Sequence, residues 1–163
     1  MTSDRFKGYL TAEPRDRVYR ALLQNLARYA ASASLVVRQE FGLSQRGDGI
    51  VRELARWRRT VEIVSEWPGT ELLEGGTAEL QTFAITEESL SVLQHAVSGM
   101  FEWKEGYPED LALYRPDGRV IFWSVAHESE GELEVDSGER EWILQPAGIE
   151  ACIVWQRLQS RTK

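Results

Sequence analysis

From Arg15 to about Phe41, Tyr19, Leu22, Leu26, Tyr29, Ala33 and Val36 recur at steps of three and four, with Leu23, Ala30 and Val37 widening the stripe. That spacing predicts an amphipathic helix, which Pro14 would open and Gly42 would end. Gly42 to Gly49 reads as a loop. Asp48 then suits the cap of a second helix whose buried side carries Ile50, Leu54, Trp57 and Val61. Thr60 to Val64 is rich in β-branched residues, so residues 60–66 fit either the end of that helix or a strand, and Trp67-Pro68-Gly69 stops both.

Beyond Gly75-Gly76, Thr77 to Ile85 reads as extended. Thr86 caps a third helix with Leu90, Leu93 and Val97 on its buried side, and Glu87 and Glu88 in its first turn suit the helix dipole. The period then changes to two. Leu111–Arg115, Arg119–His127, Glu132–Val135 and Glu141–Leu144 are short runs separated by turn residues, the signature of an antiparallel meander. Ile149 to Leu158 is apolar enough for a last strand or short helix.

The element order predicts an α+β fold. Two N-terminal helices and a third central helix pack on one face of a mostly antiparallel, meander-rich sheet. One domain is expected over 1–163: helical at 14–59, mixed at 60–100, sheet at 107–145, and a C-terminal segment at 149–158. Residues 1–13 read as a leader. A long apolar helix over 15–41 would also give two copies a surface on which to pair.

Composition adds an ordered, water-facing protein: 42% hydrophobic, 28% charged, with 6 Trp. No 18-residue apolar run exists, and the first residues lack a secretory signal. Cys152 is the single cysteine, which excludes an internal disulfide and fits a reducing, cytoplasmic location. The charge is divided by position. Residues 1–59 hold 12 Lys+Arg against 6 Asp+Glu, and residues 60–163 hold 7 against 20. Such a field either steers partners or holds the two halves together.

Candidate chemistry is sparse. His127-Glu128 ends the most apolar strand, and a His beside a carboxylate is the usual general base. Strand alternation separates these two side chains, however. The Pro116-Asp117-Gly118 turn brings Glu109 and Asp110 to the same open end as His127. His127, Glu128 and Asp110 are therefore the catalytic candidates, set against the plain reading of a strand-end His bonded to backbone or water. With two His 32 residues apart and one Cys, no zinc pattern forms, and no metal or other cofactor is expected. Gly47-Asp48-Gly49 lacks the spacing of a phosphate loop and reads as a turn before a helix.

Arg52, Arg56 and Arg59 would share one side of the second helix. The overall charge of −7 nevertheless opposes nucleic acid. Between Glu102 and Glu141, 12 Asp+Glu face 4 Lys+Arg. Trp103 and Tyr107 fall in this stretch with Glu109, Glu128, Glu130, Glu132 and Glu134, and together these predict an acidic, aromatic contact face. The expectation is a non-enzymatic module that binds another, basic protein, with an inhibitor or immunity-type protein as its concrete form. The alternative is a small-ligand pocket protein, or a modest hydrolase or isomerase, using His127 with nearby carboxylates.

Overall fold

The computed structural model describes residues 4–159. In chain order the elements are β1 (Arg5–Leu10), α1 (Asp16–Leu26), β2 (Ser32–Val37), α2 (Gln45–Leu54), β3 (Arg58–Val64), β4 (Glu66–Trp67), β5 (Thr70–Glu71), β6 (Ala78–Ala84), α3 (Glu87–Ala96), β7 (Glu109–Tyr114), β8 (Val120–Val125), β9 (Glu130–Asp136), α4 (Ser137–Leu144) and β10 (Ile153–Leu158). Eight strands form one antiparallel sheet in the order β10-β1-β9-β8-β7-β2-β6-β3, and β4 and β5 form a separate hairpin. The fold is α+β, as the pattern predicted.

The helices share one face of the sheet. Tyr19, Leu22, Leu23 and Leu26 of α1 pack with Leu54 of α2, Leu93 of α3 and Ile143 of α4 against Leu35, Phe83, Leu113, Phe122 and Leu133 from the strands. Burial of these side chains is the main driving term. β1 runs between β9 and β10, and Gly8 is the reason it fits. A Cβ there would lie 2.5 Å from the Leu133 side chain and 2.8 Å from Trp155. The tail strand is β10, and Cys152 beside it is buried.

Several boundaries differ from the sequence reading. The helix expected over 15–41 ends at Leu26, and Ser32–Val37 is a central strand between β6 and β7. Ala33, Val36 and Val37 fall on the helical stripe, but with Leu35 they also form the continuous apolar run of a strand buried on both faces; with ladders available on both sides, the strand wins. The helical region 14–59 is thus interrupted, and the long helix on which pairing of two copies rested is absent. Residues 60–66 lie largely in β3. The leader contains β1, whose alternation Arg5-Phe6-Lys7-Gly8-Tyr9-Leu10 is that of a strand. α2 is capped by Ser44, whose Oγ accepts from Gly47 N at 3.0 Å, rather than by Asp48. Glu141–Leu144 is helical. Asp136 and Glu139 form a reciprocal capping box that opens α4, so the turn residues there start a helix. The expected Thr86 cap of α3 is present, with Ser89 N donating to Thr86 Oγ1 at 3.1 Å.

A polar pair sits at the bottom of the core. Tyr19 Oη donates to the Leu93 carbonyl at 2.6 Å and accepts from Trp103 Nε1 at 3.2 Å. All three groups are cut off from water, and burial pushes the phenol's pKa up. Tyr19→Phe leaves the indole N–H and the carbonyl unmet, at an expected cost of about 1–3 kcal/mol in urea unfolding. A variant with an unchanged unfolding midpoint would contradict this arrangement.

Candidate functional site

The opposite, outer face of the sheet is covered over only part of its width. Trp67-Pro68-Gly69-Thr70 makes a tight turn in which Gly69 takes the positive φ of +85° that its third position requires. The hairpin folds back over the sheet. Trp67 packs with Val36 and Ala78, backed by Val64, Leu72 and Leu80. Gly69 rests directly on Trp123; a Cβ there would come 2.5 Å from the indole.

A bulge in β7 anchors this cover. Ser34 lies opposite Ala112, but Val36 lies opposite Glu109, so β7 carries one extra residue. Asp110 adopts φ +55°, a conformation Asp tolerates better than most residues. Two consecutive carboxylates can therefore turn to the same side. Asp110 Oδ2 accepts from Trp67 Nε1 at 2.9 Å, and Oδ1 accepts from Ala126 N at 3.0 Å. Glu109 Oε1 lies 3.3 Å from His127 Nε2. Both carboxylates are buried, whereas the His127 side chain is 46% exposed. Arg38 completes the surround, ion-paired to Glu40 and stacked over Trp67 and Phe41.

The structure thus brings Glu109, Asp110 and His127 together, and leaves Glu128 out. Residues 126–128 form a turn of 3₁₀ helix, so strand alternation has ended before His127, and Glu128 points to solvent. Trp67 and Arg38 were not among the sequence candidates, though Trp-Pro-Gly-Thr is a turn signal that could have flagged a hairpin. Five surface hollows of 300–540 Å³ are formed by other described residues, and none of the five is walled by Glu109, Asp110 or His127. No group of three or more His, Cys, Asp or Glu among the described residues could hold a metal ion.

The remaining binding candidates divide sharply. Trp103 is wholly buried in the helix-side core and cannot serve a contact face; Tyr107 packs partly against the same core. Glu132 and Glu134 do face outward, but each is matched: Lys7 pairs with Glu132 at 2.8 Å, and Arg5 pairs with Glu134. Glu128 and Glu130 are exposed and form no ion pair among the described residues. The Arg52, Arg56 and Arg59 stripe does not form. Arg52 pairs with Asp48 at 2.6 Å, Arg56 lies beyond α2 and Arg59 lies on β3.

Beyond Trp123 no described element covers the outer face. In register across four strands lie Val154 of β10, Tyr9 of β1, Glu132 of β9 and Trp123 of β8. Val154 is 57% and Tyr9 37% exposed, and Trp123 is half-buried against the hairpin. At about 4.8 Å per strand, this row spans roughly 15 Å. No helix of the described residues is long and apolar enough to cross a membrane. No protein-family model matches the chain, and neither curated proteins nor solved structures give a significant match.

Burial pushes the Glu109 and Asp110 carboxyls above their ordinary values of 4.5 and 3.8. A raised folded-state pKa contributes stability that is complete below the ordinary value and is lost as pH climbs through the folded one. Glu109→Gln cannot ionise and escapes that loss. Its melting temperature relative to the parent should therefore rise as pH increases above 4.5; a pH-independent difference would contradict the burial. Asp110→Asn instead presents an amide to two N–H donors. It should destabilise by about 1–3 kcal/mol and loosen the 66–71 hairpin, seen as faster exchange of its amides.

Proposed function

We propose that this chain is a non-enzymatic protein-binding module whose contact surface is the open part of the outer sheet face and whose partner is basic. One observation carries the reading. An uncovered four-strand surface presents Val154, Tyr9 and Trp123 in a single row among carboxylates. Aromatic side chains held by a rigid sheet anchor contacts with little loss of conformational freedom, and the surrounding carboxylates speed and select the encounter. Lys7 and Arg5 offset Glu132 and Glu134, while Glu128 and Glu130 keep the face acidic. A specific form is an inhibitor of the immunity type that covers the groove of a basic nuclease or toxin. The chain's size and net charge of −7 support that form.

The test uses Glu128→Lys with Glu130→Lys, which leaves every described ion pair intact. Against a partner retained from a native extract, the double variant should associate at least about tenfold more slowly, with a weaker salt dependence and an unchanged melting temperature. An equal, salt-insensitive association rate would sink the reading.

A second reading rests on the Glu109–His127 pair. A half-exposed imidazole aimed at a buried carboxylate is the arrangement of an acid–base pair, and it supports a small-molecule activity at this end of β8. A small-molecule thermal-shift panel would give a hit that disappears in a folded His127→Ala variant. A hit retained in that variant would remove the pair from consideration.

A further inference from the structure

We propose that the chain forms a two-fold dimer through antiparallel pairing of β3 with β3 of a second copy, extending the eight-stranded sheet across the pair. Among the described residues β3 is the last strand of its sheet and pairs only with β6. Arg58 to Ile63 are all exposed along this edge, and Val61 and Ile63 are 47% and 69% exposed. A free edge of this length is normally blunted by proline, by charged side chains, by a central bulge or by a covering loop, and of these β3 carries the charges of Arg58, Arg59 and Glu62 and an irregularity at its start. Here the irregularity lies at one end, between Arg58 and Thr60, and Thr60 to Val64 runs regularly with neither Pro nor Gly.

The charge order along the strand favours a second copy over an unrelated peptide. Arg58 and Arg59 stand at the start and Glu62 nearer the end. A strand that is basic first and acidic later complements itself only when antiparallel, which is the arrangement a two-fold axis imposes. With the axis beside Val61, the two Val61 side chains meet and Ile63 of each copy flanks them. The arginine end of each copy then lies alongside the Glu62 end of the other. Roughly six main-chain hydrogen bonds would close the ladder. The opposite edge, β10, approaches residues outside the described range and carries no comparable charge order.

Sedimentation equilibrium of the full chain tests this directly. At about 100 μM the parent should give twice the 18.6 kDa of one chain, with a dissociation constant in the micromolar range. Ile63→Lys is a surface change that leaves the fold intact, and it should weaken self-association by at least about tenfold. Arg58→Glu with Arg59→Glu makes an acidic strand, and Glu62→Lys a basic one. Each variant should be monomeric alone, and the equimolar mixture should dimerise. A parent mass of 18.6 kDa at every concentration would overturn the proposal. So would a dimer that Ile63→Lys leaves unchanged, or a charge-variant mixture that stays monomeric.

Discussion

The carboxylate of Asp110 fixes what the outer face of this protein can be. One extra residue in β7 turns it outward, and its two oxygens then accept from Trp67 Nε1 and Ala126 N. The first bond seats the 66–71 hairpin over Val36 and Ala78. The second sets the turn that carries His127 toward Glu109. Without that carboxylate the indole and the amide would be buried without partners, and the hairpin would be held only by the packing of Trp67 on Val36 and Ala78 and of Gly69 on Trp123. The covered part of the outer face is thus held by this side chain together with the apolar contacts of Trp67.

The positional charge split has a structural role of its own. Arg5 and Lys7 come from the basic part of the chain, and β1 carries them in between β9 and β10, against Glu134 and Glu132. Arg15 likewise meets Glu102 from the acidic part. Exposed pairs of this kind contribute little stability one by one. Their effect is on register and surface, since they tie the first strand to the ninth and neutralise part of the acidic strip. The carboxylates left over, Glu128 and Glu130, give the open face its sign.

Much of the layout was legible in the sequence, and the failures have physical causes. The β7–β8–β9 meander and the Thr86-capped helix were visible because turn residues and alternation agreed there. The Glu109, Asp110 and His127 convergence followed from hairpin geometry alone. β2 was hidden because Ala33, Val36 and Val37 continue the helical stripe of α1, and only its two flanking ladders decide the matter. α4 was hidden because Asp136-Ser137-Gly138-Glu139 reads equally as a turn and as a capping box. The β7 bulge left no mark in composition, so the contact between Asp110 and Trp67 lay beyond pattern reading. Nor did the sequence separate core tryptophans from surface ones: Trp103 is buried and Trp142 is exposed, though both lie among charges.

The proposal places partners on the open outer face. Hydroxyl-radical footprinting of the free chain, and of its complex with whatever it retains from a native extract, tests this. Tyr9, Trp123 and Val154 should be modified in the free chain and protected in the complex, with Trp142 on the helical side unchanged. Protection centred on Trp142 and α4, with Tyr9 and Val154 as reactive as before, would contradict it.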